Sequence, residues 1–365
     1  MNYSDRVVVA AVQRPLAAFA TVVAMCMTPA IVHGQSAMKQ KVPPSPISQS
    51  ELVARLSHSL DSLAAAGKFS GVVALAKGGS PVFERGYGLA DRGTRRAINL
   101  ETAFDIGSIN KVFTQIAILQ LRDAGKLNLD STLAKYWPEY PNQEVARTVT
   151  IRQLLRHTSG IGGNIFGAPA SGRRSDIRTL ADYLPLFVNA PMQFDPGTKR
   201  AYSNAGYIVL GLLVQRLSGE DYYTYVKRHI FDPAGMTRTA SYAVDSLPPN
   251  TAVGYTDGGP NAAPGSPLRP NTAELPGRGG SAGGGYSTAH DLIAFVQALR
   301  TRRIASGLPA GIGVAGGSGG MNADVEGDLP GGYDVIVLAN LDPPAAERVA
   351  DMVRGWLGVK MEMQK

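Results

Sequence analysis

Residues 104–113 read Phe104-Asp105-Ile106-Gly107-Ser108-Ile109-Asn110-Lys111-Val112-Phe113. From Ile109 onward, Val112, Phe113, Ile116, Ala117 and Leu119 recur at helical spacing until Gly125, so the stretch predicts a helix over 109–124 with Ser108 on its first turn. Ser108 and Lys111 stand three residues apart and therefore share one helix face. A helix N-terminus favours negative charge on the serine oxygen, and a lysine desolvated against apolar neighbours loses its proton near neutrality. Together they make a nucleophile and its base. Taken alone, Ser-x-x-Lys equally describes a capped helix with a surface lysine.

A second stretch, Ala201-Tyr202-Ser203-Asn204-Ala205-Gly206-Tyr207, narrows the choice. A tyrosine opening a helix shuttles a proton between nucleophile and leaving group when a neighbouring Lys⁺ lowers its pKa, and Asn204 offers an amide to a polar group of a substrate. Ser-x-x-Lys followed by a Tyr-Ser-Asn box resembles the signature of serine β-lactamases and penicillin-binding proteins, here their class C branch of β-lactamases, D-alanyl-D-alanine peptidases, D-aminopeptidases and esterases. Further stretches look like that family's landmarks in its order: Gly125 to Asp130, Leu154-Leu155-Arg156-His157-Thr158-Ser159-Gly160-Ile161, Phe194-Asp195-Pro196-Gly197-Thr198, Pro233-Ala234-Gly235-Met236 and Tyr286 to Leu292. The resemblance runs from about Ser50 to Trp356. It implies that Ser108 is acylated, that Lys111 and Tyr202 serve as general base and acid, and that Asn204 positions substrate.

The family's third box is a Lys or His, any residue, then Gly, on an edge strand. Here Val314-Ala315-Gly316-Gly317-Ser318-Gly319-Gly320 stands in its place and holds no cation. Gly316 and Gly317 are the expected substrate-binding positions, because the backbone N–H groups of Ser108 and Gly317 need no side chain to face a developing oxyanion. Arg278, on a long Gly/Pro-rich loop, is the candidate substitute cation.

Outward from these boxes, Val72 to Leu75 and Val82 to Tyr87 flank Lys77-Gly78-Gly79-Ser80 as an antiparallel hairpin, and Tyr333 to Ala339 is a matching β-rich strand at the far end. Leu52, Val53, Leu56, Leu60 and Leu63 predict a helix behind Ser50 as cap; Pro344 to Leu357 predicts another. Ile151–Leu155 and Tyr207–Leu217 are helical, whereas 244–285 is aperiodic and reads as a functional rim. The fold expected is α+β, an antiparallel sheet drawn from both chain ends, flanked by terminal helices, with a mostly helical middle, as the β-lactamase/transpeptidase resemblance also implies.

The expected layout is a signal peptide at 1–34, a proline-containing linker at 35–49, the hydrolase domain at 50–357 and a tail at 358–365. Arg6 and Arg14 precede an apolar run from Leu16 to Val32, and small residues follow near Gly34, which predicts export to the periplasm or medium and no stable membrane span after cleavage. Cys26, the single cysteine, lies inside that run, so thiolate chemistry, disulfides and cysteine metal sites are excluded from the mature chain. The formal charge of +7 comes without a basic tract interleaved with aromatics, so no nucleic-acid partner is expected. His33, His58, His157, His229 and His290 show no metal spacing, and neither a metal nor a cofactor is expected.

Gly279-Gly280-Ser281-Ala282-Gly283 and Gly316-Gly317-Ser318-Gly319-Gly320 match Gly-x-Ser-x-Gly but lack the strand before and helix after. Gly311 to Gly316 matches a dinucleotide fingerprint without its flanking elements. The expected activity is a Ser108 acyl-enzyme hydrolase of a small ester, amide or peptide, esterase-like. A β-lactamase, a D-alanyl-D-alanine carboxypeptidase, or an inactive cell-wall-peptide-binding protein of the same fold are the alternatives.

Overall fold

The computed structural model describes residues 47–359 except 167–171, 260–261, 264, 306–307 and 309–310. The expected signal peptide at 1–34, the linker up to residue 46 and the tail beyond residue 359 lie outside the described residues.

Two strands, β1 (Gly71–Lys77) and β2 (Ser80–Tyr87), form the expected hairpin. Its turn is Gly78-Gly79, with φ of 58° and 87°, a left-handed conformation that glycine adopts without a Cβ penalty. Three strands from the other end complete the sheet: β3 (Ile312–Ser318), β4 (Met321–Leu329) and β5 (Tyr333–Ala339). The order is β2-β1-β5-β4-β3, antiparallel throughout, with β1 and β5 in register from Gly71 opposite Ala339 to Lys77 opposite Tyr333. Both chain ends therefore meet at the centre of one sheet.

Side chains alternate across that sheet, and each face has its own core. Val73, Leu75, Val335 and Val337 pack against the terminal helices α1 (Gln49–Ala65) and α5 (Ala345–Trp356), through Leu52, Leu56, Leu60, Ala346, Val349 and Val353. Leu56 is fully buried, so truncation to Ala there costs about 2–5 kcal/mol. The other face, with Val72, Ala74, Ile336 and Leu338, carries α2 (Asn110–Asp123), α3 (Asn204–Ser218) and α4 (Ala289–Arg300) in a larger cluster. The α1 cap differs from the expected Ser50: Ser48 Oγ accepts from Glu51 N at 3.2 Å, so the helix begins two residues earlier.

Among its described residues, the segment 244–285 contains short turns and the two-residue pair Tyr255–Thr256 with Arg269–Pro270, and part of it borders the site. Among the described residues no helix is long and apolar enough to cross a membrane.

Candidate active site

Ser108 sits on a tight turn, Gly107–Ile109, that leads into α2 from the short strand Phe104–Asp105, which pairs with Tyr286–Ser287. Gly107 has φ +48°, and a Cβ there would stand 2.7 Å from Met321 Cε and 3.3 Å from Gly317 N. The turn is thus wedged against β3 and the start of β4. Asp105 fixes it from below, accepting from Gly107 N at 2.8 Å.

One helical turn on, Lys111 is 1% exposed and its Nζ lies 3.1 Å from Ser108 Oγ. The same Nζ donates to Ala282 O. Burial alone pushes this amine well below the ordinary lysine range, since no carboxylate offsets the lost hydration. A neutral amine keeps a lone pair for the serine proton. From the other side the Tyr202 hydroxyl stands 2.7 Å from Ser108 Oγ.

Tyr202 is placed by the start of α3. Ser203 Oγ accepts from Gly206 N at 3.1 Å as the helix cap, and Ser203 N donates to His157 Nδ1 at 3.1 Å. The His157 ring lies between Tyr202 and Tyr207, with centroid separations of 4.6 and 5.0 Å. Burial lowers His157 to about 3, so it is a neutral spacer that accepts at Nδ1. The expectation that Lys⁺ lowers the Tyr202 pKa is not met: burial raises it, with the Ser108 hydrogen bond opposing. Lys111 Nζ does lie 4.8 Å from the Tyr202 ring centroid. The same desolvation that pulls the lysine down pushes the phenol up.

A pocket of about 450 Å³ opens over Ser108, within the size range of small-molecule sites. Asn204, Gly317 and Ser318 line it with Ser108. Gly316 does not; its role differs from the one expected. A Cβ at Gly316 would stand 2.3 Å from Ile106 O and 2.9 Å from Ser108 N, so its bare Cα is what lets the edge strand β3 press against the nucleophile's turn. Ser108 and Gly317, which both line the pocket, flank that close approach. Val314 is 3% exposed within the core cluster and does not line the pocket.

The substitute cation expected at Arg278 is corrected. Arg278 Nε donates to Ser241 O at 2.7 Å and its guanidinium lies 3.5 Å from the Tyr223 ring centroid, so it is held away from the pocket. Arg174 lines the pocket instead, with Asp105 and Glu274. Burial raises Asp105 to about 6. Of the serine decoys, Ser281 is fully buried and donates to Tyr207 O at 2.8 Å, while Ser318 ends β3 at a hairpin. The fingerprint at 311–316 falls within β3 and its approach, and β4 follows rather than a helix. Among the described residues no group of three His, Cys, Asp or Glu side chains is placed to hold a metal.

An antiparallel sheet with a helical lobe, and between them a serine flanked by a buried lysine and a tyrosine, define a class of active-site serine hydrolases. The chain belongs to the Beta-lactamase family, whose family model matches residues 56–351. It is 36% identical over 231 residues to PbpX of Bacillus subtilis (strain 168), which covers 63% of this chain and 55% of that protein, so it spans about half the length of that relative. A solved penicillin binding protein from Bacillus halodurans superposes with a TM-score of 0.71 at 32% identity, over 81% of this chain and 98% of that one. D-amino acid amidase from Ochrobactrum anthropi SV3 shares the fold, with a TM-score of 0.70 at 21% identity, over 84% of this chain and 98% of its own.

Proposed function

We propose that the chain is an exported hydrolase that forms an acyl-enzyme on Ser108 and cleaves a small ester or amide. One observation carries this reading: Ser108 Oγ lies between Lys111 Nζ at 3.1 Å and the Tyr202 hydroxyl at 2.7 Å, in a pocket open to substrate. In acylation the serine proton passes to neutral Lys111, directly or through the Tyr202 phenol, as Oγ attacks the carbonyl carbon. The oxyanion that forms is met by the Ser108 and Gly317 N–H groups. Tyr202 then protonates the departing alcohol or amine and is reprotonated from Lys111. Water repeats the sequence on the acyl-enzyme and releases the acid.

Asn204 positions the substrate from the first turn of α3. A carboxylate beside the scissile bond, as in penicillins and cephalosporins, finds no cation at Val314, whereas a neutral ester needs none. A charge-assisted hydrogen bond of that kind contributes roughly 1.5–3 kcal/mol. The reading therefore favours short aryl esters over β-lactams. A reporter fluorophosphonate tests it: the expected result is one label per chain, lost in Ser108→Ala, and slowed about 10²-fold or more in Lys111→Ala. Labelling that survives Ser108→Ala would overturn it.

A further inference from the structure

Strand β3 is the edge of the sheet, so no neighbouring strand fixes the peptide groups on its outer side. The peptide between Gly316 and Gly317 is nevertheless held from behind by a side chain. Asn322, on β4 directly opposite Gly317, donates from Nδ2 to Gly316 O at 3.0 Å. Gly317 packs closely on that amide: a Cβ on it would stand 3.2 Å from Asn322 Nδ2 and 2.6 Å from Pro343 Cγ. On the opposite side, a Cβ on Gly107 would stand 3.3 Å from Gly317 N, which sets this N–H beside the nucleophile's turn.

Asn322 is fully buried, and both ends of its amide are used. Its Oδ1 accepts from Ala346 N at 2.6 Å and from Glu347 N at 3.4 Å, in the first turn of α5, where main-chain N–H groups lack partners within the helix. With N–H donors at one end and a carbonyl at the other, only one orientation of the amide satisfies them all. The C=O and N–H of a trans peptide point to opposite sides, and the peptide after Gly316 is trans. Holding Gly316 O toward β4 therefore turns Gly317 N–H to the open edge, where the Ser108 turn packs. A carbonyl that accepts a hydrogen bond also makes the N–H of its own peptide a stronger donor.

We propose that Asn322 is a positioning residue for the oxyanion site: through Gly316 O it fixes and polarises the peptide that carries Gly317 N–H, and it ties that peptide to the start of α5. The inference rests on the Ser108 acyl-enzyme reading. Acylation and deacylation each pass through a tetrahedral oxyanion, so a loosened Gly317 N–H slows both steps, lowering kcat and leaving KM close to its wild-type value. A side chain that only supported the core or capped α5 would change stability without that split.

The experiment compares wild type, Asn322→Asp and Asn322→Ala on a short aryl ester, after fluorophosphonate labelling has fixed the concentration of Ser108 sites. Asn322→Asp keeps an oxygen for the Ala346 and Glu347 amides and removes the donor to Gly316 O; Asn322→Ala removes both. The expected result in each variant is a kcat about ten- to a hundred-fold below wild type, with KM within about threefold. Val353→Ala, fully buried in the α5 core and no part of the site, controls for stability: its urea midpoint falls while its kcat is kept. A wild-type chain that takes no label at Ser108 sinks the acyl-enzyme reading itself. Full labelling with an Asn322→Asp kcat within about threefold of wild type, or with the loss carried by KM, sinks this inference alone. Should Asn322→Ala fail to fold, Asn322→Asp, which keeps the cap of α5, decides the matter.

Discussion

Gly316→Ala places a single methyl group where the edge strand meets the nucleophile's turn. The added Cβ would stand 2.3 Å from Ile106 O and 2.9 Å from Ser108 N, both main-chain atoms that no rotamer change can move aside. An ordinary carbon–oxygen contact is about 3.3 Å or more, so β3 or the turn must give way by roughly 1 Å. Overpacking of that kind costs about 1–3 kcal/mol of stability. Its functional cost is larger, because the displacement separates the two amides proposed to meet the oxyanion, and a misplacement of about 1 Å is worth roughly 10²-fold in rate. A urea titration and steady-state hydrolysis of a short aryl ester measure the two effects. Gly355→Ala provides the contrast: no atom lies within 4 Å of a Cβ there, and the residue sits within α5, so stability should rise by about 0.5–1 kcal/mol with kcat unchanged. A Gly316→Ala enzyme with kcat within threefold of wild type would refute the claim that β3 is pressed against Ser108 for catalysis.

Three further outcomes are expected. Burial lifts Asp105 to about 6, above its ordinary carboxylic value, so its charged form opposes folding; that stability is present below pH 4 and is lost as pH rises through 6. Asp105→Asn should then be about 1–3 kcal/mol more stable than wild type at pH 8 and no more stable at pH 4, read from urea midpoints, and equal gains at both pH values would count against it. The exported chain should begin near Gln35, and N-terminal sequencing that finds Met1 retained in a membrane fraction would favour an uncleaved anchor. On purified enzyme, kcat/KM for a short aryl ester should exceed that for a cephalosporin; the reverse order would reject the argument from the missing third-box cation.

The parts of the fold that were legible in the chain are those where burial is one-sided or complete. Val335 to Ala339 is an unbroken apolar run because β5 lies at the centre of the sheet with both faces covered, and Leu52, Leu56 and Leu60 mark the single buried stripe of α1. Strand β4 was hidden. Asp324 and Glu326 interrupt its pattern, yet both are buried against Arg354 of α5, an ion cluster formed only when the two ends of the domain pack together. In the site, Ser108, Lys111, Tyr202 and Asn204 announce themselves through spacing along helices, which a sequence displays. Arg174 does not, since its place over the pocket depends on the Ile165 and Glu274 carbonyls, one of them 100 residues further along. Val314 was legible as an uncharged third box, but its direction into the core follows from the register of β3 with β4.

The acyl-enzyme is the most direct test of the account. A short aryl ester mixed with wild-type chain, quenched in acid within the first turnovers and digested should give a peptide spanning Ser108 whose mass is raised by one acyl group. Ser108→Ala should give none, and Lys111→Ala should accumulate it more slowly. An acyl group found instead on Ser281 or Ser318, or the same mass increase in Ser108→Ala, would contradict the central claim.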